Sequence, residues 1–416
     1  MRPVFRSLLA AAVASLAVAC GEPPTTPIIT ALPRALTVGE QQLVAANNRF
    51  AFSLFREIVR QEPAGKNLFV SPVSVAMALG MTVNGAAGTT RDSMLRALEL
   101  TGLLMAEVNA GYRGVIDLLR VLDHSVAFTL ANSIWYRNTI HPDQGFLDDT
   151  RTFFDADVRA LDFASPTAAR TINDWVNAQT RGKIPEIVDS PIPDSVIMYL
   201  INAIYFKGSW TQQFDRALTH NTTFNLLGGG LVPVPTMSHG DPAPARYYAG
   251  DGVTVVDLPY GGRAWSMTIV LPRSAAATDT VVAGLTAERW DAWMGLLDST
   301  DVFVTMPKFT LRYDLEMTSV LSALGMREAF CGPWPTDFTR LYPPGGACIT
   351  KVKHKTFVDV YEEGTEAAAV TSVEMGVTSA PLELRVVVDR PFLVAIRERL
   401  TGTVLFLGRV MNPVAS

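Results

Sequence analysis

The chain has 416 residues, 48% hydrophobic, 18% charged and 9% aromatic, so it has apolar surface for a large core and is neither a disordered nor a collagen-like polymer. Lys and Arg number 35 against 40 Asp and Glu, a formal charge of −5 that excludes a basic nucleic-acid footprint. The length fits two or three domains, or one large α/β body.

Residues 1–19 hold Arg2 and Arg6, an apolar run from Leu8 to Val18, and the small residues Ala17 and Ala19 just before Cys20, which is the pattern of an export signal. A Cys directly after the cleavage point is similar to the bacterial lipoprotein signal, in which that thiol is acylated, although Ala17 stands where the pattern prefers Leu. Cys20 is therefore expected to carry a lipid, the alternative being plain secretion with an unused thiol. Without Arg2 and Arg6 the mature chain has 33 basic and 40 acidic residues, a charge of −7. Gly21 to Thr37, with Pro23, Pro24, Pro27 and Pro33, reads as a flexible tether within residues 20–40, ahead of a folded body over residues 41–416.

From Gln42 to Arg60, Leu43, Val44, Phe50, Phe52, Leu54, Phe55, Ile58 and Val59 recur at helical spacing. A second helix follows Ser71-Pro72 and stops at Gly85 to Gly88. Val126 to Trp135 reads as a strand and Thr171 to Thr180 as a helix closed by Gly182. Ser195 to Phe206 is a nearly continuous apolar run of strand length, as expected for a central strand covered on both faces. Further strands are expected at Val253 to Leu258, Ser266 to Leu271, Val302 to Met306, Leu384 to Val388, Phe392 to Arg397 and Val404 to Val410, with helices at Ala287 to Leu297 and Leu315 to Leu324. Past the leader, no stretch approaches the roughly 20 uninterrupted apolar residues of a membrane helix, so the body is expected to be soluble.

Of the three cysteines, Cys331 and Cys348 remain if Cys20 is an anchor, and in an exported segment they are either bridged or two separate buried thiols. Catalytic punctuation is sparse. There is no Gly-x-Ser-x-Gly elbow, phosphate loop, His-Glu-x-x-His or Cys-x-x-Cys, and Gly228 to Gly230 reads as a turn. His124, His141, His220, His239 and His354 lack metal-ligand spacing and read as surface or core residues, so no metal, cofactor or enzymatic activity is expected.

Glu362 to Ala380 is compositionally odd. Written as a strand, one face takes Thr365, Ala367, Ala369, Thr371, Val373 and Met375, and the other takes Glu366, Ala368, Val370, Ser372, Glu374 and Gly376. Both charges fall on one face; the other begins with small residues, ends with larger apolar ones and suits burial. No Pro interrupts before Pro381. The same residues also permit an Ala-rich helix or a small-residue loop.

Glu362, Glu363, Gly364, Thr365, Glu366, Ala367, Ala368 and Ala369 in succession resemble the loop hinge of the serpins, the serine protease inhibitor family. Asn67 to Ser74, Gly85 to Thr90, Asn202 to Trp210 with Phe214, Leu258-Pro259-Tyr260, Met306 to Phe309, His354-Lys355 and Gly402 to Pro413 resemble serpin motifs in the family's order, covering Phe50 to Pro413. The resemblance implies one α+β domain of three β-sheets and about nine helices with an exposed reactive-centre loop. It further implies a suicide-substrate inhibitor, monomeric, whose partner is a protease held as a covalent acyl-enzyme while the cleaved loop enters the main sheet. Ser71, Ser74, Asn202 and His354 are thereby assigned to a restraint cluster, and Lys308 and Glu362 to an ion pair.

Counting from Gly364 puts the reactive bond at Thr378-Ser379, while counting back from Pro391 gives Ala380-Pro381; Met375 and Val377 are further alternatives. No Lys or Arg lies between Thr365 and Ala380, which points to an elastase-, subtilisin- or chymotrypsin-like target rather than a trypsin-like one. Arg91, Arg96, Arg113 and Arg120 are the four basic residues from 91 to 120, too few to support a heparin-like activator. The alternatives are a non-inhibitory surface binding protein and a cysteine-protease inhibitor. The expected location is the bacterial cell envelope, with membrane contact through the lipid anchor, or the medium.

Overall fold

The computed structural model describes residues 27–366 and 383–415. Cys20, the hinge residues Ala367, Ala368 and Ala369, and the reactive-bond candidates Met375, Val377, Thr378, Ser379 and Ala380 lie outside them. Thr37 caps α1 (Val38–Gln61): its hydroxyl accepts from the Glu40 amide at 3.2 Å, and the Glu40 carboxylate accepts from the Thr37 amide at 2.8 Å. The tether expected up to residue 40 is seated on the body from Pro27 onward. The Ile29 amide donates to the Gly262 carbonyl at 2.7 Å, and Ile29 and Leu32 pack against the core.

The elements that follow are β1 (Leu68–Val70), α2 (Pro72–Gly85), α3 (Gly88–Ala97), α4 (Met105–Val121), β2 (Ala127–Arg137), α5 (Gln144–Phe154), β3 (Ala156–Leu161), α6 (Ala168–Gln179) and β4 (Met198–Ser209). Next come β5 (Asp215–Asn225), β6 (Leu231–Ser238), β7 (Ala243–Gly250), β8 (Val253–Tyr260), β9 (Trp265–Pro272), α7 (Thr278–Ala283) and α8 (Ala287–Gly295). The chain ends with β10 (Asp298–Pro307), β11 (Phe309–Glu316), α9 (Thr318–Leu321), β12 (Lys353–Tyr361), β13 (Gly364–Thr365), β14 (Arg385–Val387), β15 (Phe392–Glu398) and β16 (Val404–Val410).

Two pairing networks result. One is six-stranded, in the order β11-β12-β13-β4-β2-β3. The other runs β1-β16-β15-β9-β8-β7-β10-β6-β5, with β14 also on β10. In it β10 serves two sheets, because Asp298–Val302 pairs with β7 while Phe303–Pro307 pairs with β14 and β6. The three sheets expected are thus the six-stranded sheet and the two parts joined through β10. Ser71 caps α2 and Pro72 opens it; the helix is apolar all round and buried along most of its length because it packs on β4 and on β16.

One expected helix is displaced. Leu315 lies in β11, whose Phe309, Leu311 and Tyr313 alternate inward and pair with β12 through Glu316, so α9 starts at Thr318 and Gly325 bends the chain at φ 100°. The Gly228 to Gly230 run forms the turn between β5 and β6, with Leu226 donating to the Gly230 carbonyl at 2.7 Å.

Cys331 and Cys348 are joined by a disulfide with Cα atoms 5.0 Å apart, tying the segment after α9 to the one leading into β12. Closing a loop of 17 residues is worth about 3 kcal/mol through the entropy of the unfolded chain. Replacing both by Ser is expected to lower the unfolding free energy by about that much in urea titrations. An unchanged midpoint would show that the bridge carries no stability.

Candidate functional site at a gap in the six-stranded sheet

β13 is two residues long, and its brevity defines the site. Thr365 pairs with Val360 of β12 on one side and with Gly208 of β4 on the other, both antiparallel. At Glu366 the amide still donates to the Asp359 carbonyl at 3.0 Å, but the backbone turns to φ 53° and the described ladder ends there. Below that point, β12 pairs with β11 and β4 pairs with β2, but no described residue joins β4 to β12. A cavity of about 340 Å³ lies between them, lined among others by Ser74, Ala78, Asn202, Ile204, Ile349 and His354. Among the described residues, the facing edges of β4 and β12 below Thr365 thus have this cavity and no strand between them.

The top of the gap is closed by the turn Glu362-Glu363. Gly364 takes φ +152°, and a Cβ there would stand 2.1 Å from the Gly208 carbonyl oxygen, so only glycine fits between β12 and β4. The Trp210 and Phe214 amides donate to the carbonyls of Glu363 and Glu362 at 2.9 and 3.0 Å, and the Trp210 indole donates to the Tyr361 carbonyl at 2.9 Å. Trp210 stacks on Tyr260 at 4.4 Å, and the Tyr260 hydroxyl meets that of Thr365 at 2.5 Å. Burial pushes the Tyr260 phenol up, so it stays protonated and available to that bond. Thr365 is thus turned into the core, whereas the Glu366 carboxylate is held by Lys183 at 3.1 Å and by the Tyr205 hydroxyl at 3.2 Å.

The expected Lys308–Glu362 pair is formed, with Nζ 2.9 Å from Oε2, and Thr219 donates to Oε1 at 2.7 Å. Burial pushes the Glu362 carboxyl up, but the Lys308 and Thr219 hydrogen bonds outweigh it and hold the group below the usual carboxylate range. Glu363, also buried, pairs through Oε1 with Arg216, while its Oε2 has no hydrogen-bond partner among the described residues. Arg216 and Thr219 lie on β5, which sequence patterning did not single out, so nothing in the sequence pointed to these contacts.

Of the four residues assigned to a restraint cluster, three are joined. The Ser71 amide donates to His354 Nε2 at 3.0 Å, the Ser71 hydroxyl donates to the Leu405 carbonyl at 2.8 Å, and the Ser74 amide reaches Ser71 Oγ at 3.4 Å. Asn202 bonds elsewhere, to Asn132 Oδ1 at 2.8 Å, and its Oδ1 lacks a partner among the described residues; it shares with Ser74 and His354 the cavity wall. Burial lowers His354 to about 4, opposed by the Asp314 charge, so the ring is neutral and accepts at Nε2.

A family model described as Serpin (serine protease inhibitor) matches residues 45–413. Leukocyte elastase inhibitor of Sus scrofa is 35% identical over 382 residues, covering 90% of this chain and 100% of the relative. Corticosteroid-binding globulin of Homo sapiens is 32% identical over 378 residues, covering 89% and 91%. Among solved structures, the thermophilic serpin tengpin in its native state superposes with a TM-score of 0.81 at 28% identity, covering 94% of this chain and 97% of that one. Human thyroxine-binding globulin gives 0.80 at 29%, covering 90% and 100%.

The buried neutral His354 makes stability depend on pH. Unfolded, it takes up a proton near 6.5; folded, only near about 4, so its contribution is complete above pH 6.5 and lost as pH falls toward 4. Between pH 6.5 and 5 the urea midpoint is expected to fall less steeply for His354→Ala than for the parent chain. Parallel slopes would remove His354 from this linkage.

Proposed function

The chain belongs to the serpin family, and from that premise we propose that it inhibits a serine protease as a suicide substrate. The partner's serine attacks a loop carbonyl to form an acyl-enzyme, and the catalytic groups are the partner's own. The cleaved loop then enters the gap between β4 and β12. Serpin insertion is itself a standing instance of strand addition and of released strain, so the step is taken from the family.

The observation that carries the reading for this chain is the seat of Thr365. With Thr365 opposite Gly208 and pointing inward, and Glu366 pointing to Lys183 and Tyr205, the faces of an entering strand are set. Ala367, Ala369, Thr371, Val373 and Met375 would follow Thr365 inward, with Met375 opposite Met198 if the register continues, and Glu374 would follow Glu366 outward. Ten positions, 366–375, would each gain one or two hydrogen bonds at about 0.5–1.5 kcal/mol, in total about 5–30 kcal/mol. The Ser71–His354 bond, which ties α2 to β12 beneath the gap, fits a role in holding the native form until cleavage. Distortion of the attached protease would then cost it the geometry that stabilises the deacylation transition state.

The second reading, a non-inhibitory binding protein, has support from relatives whose names are those of binding globulins. Nicking the loop separates the two. An inserting chain is expected to gain roughly 6–40 °C in thermal midpoint, whereas an unchanged midpoint would end the inhibitory reading.

Target class is tested separately with elastase and trypsin. An SDS-stable adduct is expected with elastase, and the variant Ala367→Glu, which puts a charge on the inward face, is expected to be cleaved without forming one. An adduct with trypsin alone would overturn the assignment of class.

A further inference from the structure

A second concentration of charge lies away from the loop, on the ten-stranded network. Arg246 of β7, Arg263 of the β8–β9 turn and Arg399 after β15 line a cleft of about 300 Å³ together with Asp257 and Asp301. Arg397 stands beside them on Asp257, at 2.9 Å. Four guanidinium groups thus meet two carboxylates, in a chain whose overall charge is −5.

Asp257 is already fully used. Its Oδ1 accepts from Ser266 and Thr268 at 2.7 and 2.6 Å, and its Oδ2 accepts from Arg397, with Arg399 Nε 3.5 Å away. Among the described residues, Arg246 and Arg263 have no ion-pair partner, and Arg399 has only that long contact with Asp257. Arg246 donates to the carbonyls of Met294 and Leu297, and Arg399 to that of Arg263. The Arg263 side chain has no hydrogen-bond or ion-pair partner among the described residues, and its Nε is buried. Arg399 Nε is also buried without a hydrogen bond among the described residues, its one charged neighbour being Asp257 at 3.5 Å. Burial lowers Arg399 against the pull of Asp257, and the charges of Arg397, Arg246 and Arg263 lower it further, as crowded cations should. Arg263 also takes φ 71°, a conformation costly for a side chain of its size and one that places it at the cleft.

Buried donors without partners ask for an acceptor, and forked guanidinium groups suit a tetrahedral oxyanion. We propose that Arg246, Arg263 and Arg399 form a binding site for an anion of the phosphate class, either free phosphate or the headgroup of a phospholipid. The headgroup source has a geometric basis. A Cβ at Gly262, next to Arg263, would touch the Pro27 carbonyl oxygen at 2.7 Å, so the chain enters the fold beside this cleft. Cys20 is seven residues earlier, within about 25 Å when extended.

The test is calorimetric titration of the purified protein with inorganic phosphate at constant ionic strength balanced with chloride, alongside cosedimentation with phosphatidylglycerol or phosphatidylcholine vesicles. One saturable phosphate site is expected, weakened about tenfold or more in Arg263→Gln, with part of the loss restored in Arg263→Lys. Without phosphate, Arg263→Gln is expected to melt no lower than the parent chain, since an unpaired cation is removed. Vesicle binding restricted to phosphatidylglycerol and displaced by phosphate assigns the headgroup; phosphate binding alone assigns the free anion. The proposal fails if neither phosphate nor phosphatidylglycerol binds, if Arg263→Gln binds as well as the parent chain, or if that variant is destabilised without ligand.

Discussion

Two strand edges inside one sheet that do not pair with each other are the constraint on which the rest depends. Backbone donors and acceptors on β4 and β12 are strong groups, and among the described residues their facing edges below Thr365 have no strand partner, which forgoes stabilisation that a neighbouring strand would supply. Under the proposed insertion, the sheet is filled where an entering strand would start and open where it would finish. At the top, β13 supplies two residues and brings β4 and β12 to the spacing of a normal three-strand ladder. Whatever chain follows Thr365 into the gap would extend an existing ladder, which is easier than nucleating a new one.

The contacts around the gap divide into those that set its mouth and those that hold its base. At the mouth, aromatic stacking of Trp210 on Tyr260 and the two buried glutamates fix the turn. Replacing Arg216 would leave the Glu363 carboxylate buried without its cation, and replacing Lys308 would leave Glu362 with the Thr219 hydroxyl as its side-chain donor. At the base, a single neutral imidazole joins the α2 cap to β12, and the disulfide ties the approach to β12 to the end of α9. Movement of β12 relative to α2 must break the first and is limited by the second.

Much of this was legible in the sequence because strand alternation leaves a mark that does not depend on context. The period-two pattern from Thr365 separated an uncharged face from one bearing Glu366 and Glu374, and the observed directions of Thr365 and Glu366 match that division. β12 was missed for the converse reason. Its inward residues begin with His354 and Thr356, polar side chains satisfied by the Ser71 amide and the Phe69 carbonyl, so burial there leaves no hydrophobic signature. The helices α3 and α4 were missed because neither has a side chain that caps its N-terminal residue amides, and α3 buries few residues. The partners of Glu362 and Glu363 on β5 could not be read at all, since that strand is largely exposed and meets the hinge through tertiary contact alone.

Relatives named as an elastase inhibitor and as hormone-binding globulins cover the chain to the same extent, so the fold by itself does not choose between trap and carrier. What can choose is the agreement between an entering strand and the space it must fill. The inner wall of the gap includes Ser74 and Ala78 on α2, and if the register of Thr365 continues, Ala367 and Ala369 would stand opposite Phe206 and Ile204 near its top. A charged residue at either inward position would enter the buried face of the sheet without a partner, so the proposed insertion would stall after Thr365. Under the proposed insertion, function would rest on a few inward positions of one segment, with the rest of the molecule holding β4 and β12 apart to receive it.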